Sequence, residues 1–365
     1  MICTRLSGTY REMGDVVGRA HALAISRVAA ERMRAYHTAN CDVCALERLL
    51  DHRIEQVSDL LPDALEYLEG IALGSLVPLQ RLVLFNFGLS DEEAQIVAVA
   101  QKPEGGAGCT IAAFQNAPEG PVIGGNLDDP PWQFISLDRP QHGYKSLQVR
   151  LPGYFATWGG MNERGLCITG ASGGPALPGT LDAVPDSPRP PLTKSPVQDV
   201  LYQCSNVDEA VALLQGPLFA GNNYMLGDSE QAVQVEKRYD GVTVTTFREP
   251  EDAPLCAGNL RRSDLDQPWY AKHLNKLPPD KLARHRLVRS LMQECQHRPG
   301  VAALQAVLND HGAGQADVGA SHSLCHVGSA LTLVGIPRQK RVLIAQAPAC
   351  VNDYTEYMLD EVLSD

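Results

Sequence analysis

The sequence predicts an α+β protein in which helices pack on two stacked antiparallel sheets. Up to about Lys102, apolar side chains recur at helical steps, whereas beyond it short apolar runs are broken by Gly, Pro and Asn. Helical texture then returns twice among the strands, and that order of segments suits helices laid on an antiparallel double sheet. With 365 residues, 44% of them apolar and 20% charged, the chain has material for one large domain or two moderate ones.

Gly14 to about Ala35 carries apolar residues three and four apart, which predicts an amphipathic helix, and a second helical stretch runs from about Leu46 to Leu73. Leu82 to Phe87 is apolar enough to be buried; its length alone leaves helix and strand open, and helix is preferred. The runs CTIAAFQ, PVIGGNLD, YKSLQVRL, YFATWGG and GLCITGA read as strands. The stretch 173–196 holds too many prolines for regular structure and suits a substrate-gating loop. Beyond it, VQDVLYQCSNVDEAVALLQ is helical, NYMLGDSEQAVQVEKRYDGVTVTTF forms a hairpin and strands, Asp280 to Cys295 is helical, and SALTLVGI and RVLIAQA close the chain as strands.

A net charge of −12 argues against nucleic acid as a partner. The first residues show no signal-peptide core, and no stretch reaches the roughly 18 to 20 apolar residues of a membrane span, so a cytoplasmic protein is expected. Ten scattered cysteines lack the spacing of a disulfide scaffold and are expected to be mostly reduced and buried. Cys41 and Cys44 have the CxxC spacing of a redox pair or half a zinc site, but no second CxxC or nearby histidine pair completes four ligands. Neither a phosphate loop nor a dinucleotide fingerprint is present.

Among the cysteines, Cys109 stands apart. In GGAGCTIAAF it sits where helical texture gives way to strand, and Gly105, Gly106 and Gly108 permit a sharply turned backbone before it. A strained Gly108–Cys109 peptide is a target for the cysteine's own thiol, and hydrolysis of the resulting thioester would free an α-amine. With a pKa of about 7.7 to 8.0, that amine can take the proton of a thiol of pKa about 8.5, so one residue supplies nucleophile and base. A small hydrophobe opening a buried strand is the plainer reading of the same cysteine. In GGNLDD, Asn126, Asp128 and Asp129 follow the second apolar run, and a carboxylate there can hold the new ammonium group; a polar strand end is the alternative. In LCAGNLR, Asn259 can offer its amide to an oxyanion, or simply mark a turn.

Together these segments resemble the isopenicillin N acyltransferase family, the N-terminal-cysteine branch of the N-terminal nucleophile (Ntn) hydrolases. The resemblance runs from SGTYREMGDVVG and LEGIALG through GCT, NLD, GGMNERGLCITGASG, NNYMLGDSEQAVQVE and AGNLR to ARHRLVRSLM and HSLCHVGSALTLVGI. It implies an αββα sandwich and a precursor cut between Gly108 and Cys109. The helical fragment 1–108 would stay associated with the core 109–365 as one compact domain. The same resemblance implies a nucleophile at Cys109, the family's aspartate at Asp128 and its oxyanion-hole asparagine at Asn259; Thr110, Asn126 and His326 are further candidates, for substrate binding. Metal-free transfer or hydrolysis of a small-molecule amide, amine or acyl thioester follows, with no cofactor and with a coenzyme A thioester as a candidate acyl donor. Where the penicillin enzyme has an arginine after Ser-x-Cys, this chain has His326 after Ser323, Leu324 and Cys325, so the penicillin substrate does not carry over. Two other readings remain: a conventional Cys–His hydrolase using His326 without self-cleavage, and a binding protein with an inert cysteine.

Overall fold

The computed structural model describes residues 2–38, 42–88, 109–129, 132–172, 192–238, 241–247, 254–265, 279–312, 323–326 and 328–364. The chain opens on a short strand, β1 (Cys3–Gly8), which the helical texture of the N-terminal segment hides. Its alternating exposed and buried side chains are the only local sign of it. Thr9 then starts α1 (Tyr10–Ala20) with a capping box: the Glu12 N–H donates to Thr9 Oγ1 at 3.2 Å and the Thr9 N–H to Glu12 Oε2 at 2.8 Å.

The first predicted helix is two, α1 and α2 (Ala22–Thr38), divided at His21. The second is also two, α3 (Val43–Leu60) and α4 (Pro62–Ser75), because Pro62 has no N–H to continue α3 and instead begins a new helix. The apolar run follows as α5 (Leu79–Phe87), the preferred helix. Gly14 and Gly18 on α1, and Gly70 and Gly74 on α4, stand four apart and face one another. A Cβ on Gly14 would lie 2.1 Å from the Tyr67 carbonyl oxygen, and one on Gly70 2.1 Å from that of Arg11; Gly18 and Gly74 are as tightly placed. Backbones of α1 and α4 therefore touch directly.

Next come β2 (Thr110–Phe114), β3 (Val122–Asp128), β4 (Phe134–Pro140), β5 (Ser146–Arg150), β6 (Thr157–Asn162) and β7 (Cys167–Ser172). The helical return is α6 (Val197–Gln203) and α7 (Val207–Leu214), the latter capped by Asn206, followed by β8 (Asn222–Gly227), β9 (Ala232–Arg238), β10 (Gly241–Thr246) and β11 (Leu255–Ala257). After α8 (Arg262–Leu265) and α9 (Pro279–Cys295), the chain adds α10 (Val301–Leu308), then β12 (Ser329–Ile336), β13 (Arg341–Gln346), β14 (Thr355–Met358) and α11 (Leu359–Val362). Sequence periodicity does not separate α10, β14 or α11 from their surroundings. Most of the proline-rich gate, 173–191, lies outside the described residues, as do Gly105, Gly106, Gly108 and Cys41.

Two sheets result, an eight-stranded one ordered β1-β4-β5-β6-β7-β8-β9-β10 and a six-stranded one ordered β11-β2-β3-β12-β13-β14. Every pairing is antiparallel except β1 with β4, which is parallel. Ile111, Ile123, Leu137, Val149, Met161, Met225 and Leu333 fill the space between the sheets. On the outer side of the larger sheet, Met13, Val17, Leu68 and Ile71 pack over Leu6 and Phe134, and Val200, Leu201 and Ala210 over Ile168, Leu226 and Val235. Val288, Met292, Leu304 and Val307 cover Ala112, Phe114, Val334 and Ile336 of the smaller sheet. The layering is the expected αββα sandwich, an α+β architecture with two stacked sheets between helices. Because β1 is hydrogen-bonded to β4, residues ahead of Cys109 are part of the larger sheet. No helix among the described residues is long and apolar enough to cross a membrane.

Candidate active site

Strand register sets the site. Ala257 of β11 pairs with Ile111 of β2, so continuing that antiparallel ladder by two places puts Asn259 level with Cys109. On the other side of β2, Thr110 pairs with Asn126 of β3, which leaves Asp128 at the strand end just past Cys109. Ser329, the first residue of β12, pairs in turn with Asp128. Four neighbouring strands of the smaller sheet thus bring Asn259, Cys109, Asp128 and Ser329 to one end.

Cys109 belongs to the apolar cluster between the sheets and is 9% exposed. Burial pushes its thiol up to about 12; the carboxylates of Asp128 and Asp129 push the same way, against the Asp128 backbone N–H and the Arg284 guanidinium. At neutral pH the thiol is protonated, and its conversion to a nucleophile needs a base at hand. Gly258 is the close neighbour on the β11 side, where a Cβ would come within 3.7 Å of the Cys109 carbonyl oxygen.

Asp128 is held by three side chains. Its Oδ2 accepts from Arg284 Nη1 at 2.8 Å and faces His326 Nε2 at 3.0 Å, and its Oδ1 accepts from Ser329 Oγ at 2.8 Å. The Gly328 N–H donates to His326 Nδ1 at 3.0 Å, which assigns the ring proton to Nε2 and makes it the donor to Asp128. Both ring nitrogens are thereby committed elsewhere than Cys109. Arg284 Nη2 also donates to Asn259 Oδ1 at 3.3 Å, linking the two strand ends through one guanidinium. The Asn259 amide nitrogen donates to the backbone oxygen and the hydroxyl of Ser172, the last residue of β7 in the opposite sheet.

Asn126 and Thr110 sit apart from the thiol. Alternation along β2 turns Thr110 to the helix-covered face, opposite Asn126. Asn126 Nδ2 donates to the carbonyls of Leu308 and Leu324 at 2.7 Å each, and its Oδ1 accepts from Thr332 Oγ1 at 2.6 Å. That amide ties β3 to α10 and to the segment before β12. His285, beside Arg284 on α9, is buried.

Arg284, Ser329 and Ser172 are polar residues at this strand end that no sequence motif marks. Arg284 lies in ARHRLVRSLM, one of several arginines on a helix, and nothing local distinguishes it from its neighbours. Ser329 and Ser172 have no sequence signal beyond their place at strand ends.

No protein-family model matches the chain, and no curated protein matches it. Solved structures do. Penicillin V acylase from Agrobacterium tumefaciens is 15% identical, with 69% of this chain and 87% of that one covered and a TM-score of 0.43. A variant of the conjugated bile acid hydrolase from Clostridium perfringens is 14% identical over 69% and 93% of the two chains, with a TM-score of 0.44. A Caenorhabditis elegans orthologue of N-acylethanolamine-hydrolyzing acid amidase is 12% identical over 63% and 93%, with a TM-score of 0.41.

Proposed function

We propose that this chain is an N-terminal-cysteine amide hydrolase or acyltransferase that activates itself by cutting between Gly108 and Cys109. One observation carries the reading: Cys109 enters β2 at the sheet end where Asn259 and Asp128 flank it on both neighbouring strands. The β2–β3 hairpin brings Asp128, and the distant strand β11 brings Asn259, to the strand end where Cys109 lies, which an inert core cysteine does not require.

In the self-cleavage step Cys109 Sγ attacks the Gly108 carbonyl carbon, the C–N bond breaks, and the acyl group passes to sulfur. Water then hydrolyses the thioester, leaving a Gly108 carboxylate and a Cys109 ammonium. In turnover the free amine takes the thiol proton, and Sγ attacks an amide or thioester carbonyl. The amine then returns the proton to the leaving group, which departs with the bond electrons. Asp128 holds the ammonium, and Asn259, turned from Ser172, donates to the tetrahedral oxyanion together with a backbone N–H. An acyl-cysteine remains, which water resolves to an acid or an amine to a new amide. Burial holds the thiol protonated in the uncut chain, and the cut adds an amine beside it to receive the proton.

Small-molecule amides, amines and acyl thioesters, including coenzyme A thioesters as donors, are the substrates this chemistry admits. A reducing cytoplasm suits a chain whose described cysteines are all free thiols. Intact-mass analysis of purified protein tests the core of the reading. Two fragments meeting at Gly108 and Cys109, and a Cys109→Ala chain that stays whole, are expected. A wild-type chain that remains uncut on prolonged incubation overturns the self-cleavage.

A further inference from the structure

Behind the strand ends lies a second group of reactive side chains that the chemistry above leaves unused. His311 follows α10, Cys325 precedes β12, and Cys350 lies between β13 and β14; one ligand atom from each is within 4.8 Å of the others. In sequence they stand 14 and 25 positions apart and form no short metal motif, so only the fold assembles them. Cys325 is buried, and the other two are half-buried.

We propose that His311, Cys325 and Cys350 form a binding site for one zinc ion. Two thiols and an imidazole are a zinc donor set, and zinc needs its ligands at about 2.0 to 2.3 Å, close enough that small side-chain rotations gather the three around one ion. On binding, the two thiols release their protons to solvent as two Zn–S bonds form, and the neutral imidazole adds one Zn–N bond. The divalent charge is balanced by two thiolates, and water takes the fourth position.

Two further observations point to an ion rather than to a simple thiol pair. The His311 Nδ1 is buried with no hydrogen-bond partner, a cost that a ligand role for this ring would explain and that a cysteine pair alone would not. The backbone N–H groups of Ala349 and Cys350 point to the Cys325 sulfur, the arrangement that supports metal thiolates.

Placement gives the ion its task. The N–H groups of Leu324 and Cys325 donate to the Asp310 carbonyl at 3.2 and 3.0 Å, and Ser323 Oγ donates to that of His311 at 2.8 Å. Zinc would lock these three segments together one residue before His326, which donates to Asp128. It would act as a clamp for the strand-end carboxylate, outside the reaction itself.

The test uses the full chain, equilibrated with zinc and exchanged into metal-free buffer, and with cobalt in a parallel sample. About one zinc per chain is expected, with a cobalt–thiolate charge-transfer band in the near ultraviolet, both reduced at least about tenfold in Cys350→Ser and in His311→Asn. Should either variant fail to fold, the wild-type cobalt spectrum decides, since a bound ion without thiolate bands overturns the site. Equal zinc in wild type and folded variants places the ion elsewhere and also overturns it. So does a chain that retains no zinc, or one whose unreduced mass is two hydrogens low from a Cys325–Cys350 disulfide.

Discussion

Two buried arginine–aspartate pairs in this protein serve different ends, and the surroundings of each pair show which. Arg150 and Asp138 are fully inaccessible and 2.6 Å apart on adjacent strands of the larger sheet. The pair is wrapped by Ser136, Gln198 and Tyr202, with the guanidinium 5.4 Å from the Tyr67 ring centroid. Everything near it is core of the helical side. Arg284 and Asp128 are 2.8 Å apart and nearly as buried, but they join a helix to a strand end 156 residues away, with a thiol and an amide alongside. A carboxylate and a guanidinium in the first setting can only hold the fold. In the second, the same two groups also act on the Cys109 thiol, which burial raises most: the carboxylate adds to the rise and the guanidinium opposes it.

The largest effect that would break this comparison is at the thiol itself. Cys109→Ala should lose more than about ten-thousandfold in turnover while unfolding in urea as wild type does, because a nucleophile has no substitute in its own site. Substantial residual turnover in a verified variant would return Cys109 to the core-packing residues.

At the sealed pair, Arg150→Met strands Asp138 in the apolar interior and should cost about 3 to 5 kcal/mol by urea titration. Arg284→Met should cost less, about 1 to 3 kcal/mol, since Asp128 keeps the Ser329 hydroxyl and His326, but it should also lower turnover. Equal stability losses with unaffected turnover would erase the distinction between the pairs.

Asn259→Ala should reduce turnover about a hundredfold, the usual loss of one oxyanion donor. A folded variant with wild-type turnover would leave Asn259 as a brace to Ser172 only.

The smallest effect concerns pH. Burial pushes the thiols of Cys109 and Cys256 up to about 12, so the folded chain resists an ionisation that the unfolded chain undergoes near pH 8.5. The folded value is the raised one, so the stability from keeping these thiols neutral is complete below about pH 8.5. It falls as pH rises toward 12, by up to about 1.4 kcal/mol per pH unit per thiol. Urea titrations between pH 8 and pH 10 should show a shallower fall in Cys256→Ala than in wild type; parallel curves would contradict this.

Much of the fold was legible because each strand and helix of the sandwich carries its own period. The breaks at His21 and Pro62 and the edge strand β1 were not, because caps and a parallel partner 132 residues away decide them. Cys109, Asp128 and Asn259 were visible as short motifs at strand ends. Their relation to one another depends on register, and Arg284 was one arginine among several until α9 docked.

By itself the sequence determined which residues can do chemistry: a glycine-led cysteine, a strand-end carboxylate and an asparagine after a glycine. It also set the helical and strand periods that make an α+β sandwich the economical way to bury them. Tertiary structure alone decided the rest. It turned Asn126 into a brace, paired Asp128 with Arg284, His326 and Ser329, and gathered His311, Cys325 and Cys350. These contacts, most of them between residues a hundred or more positions apart, follow from sheet order and helix docking, and no local pattern in the chain encodes them.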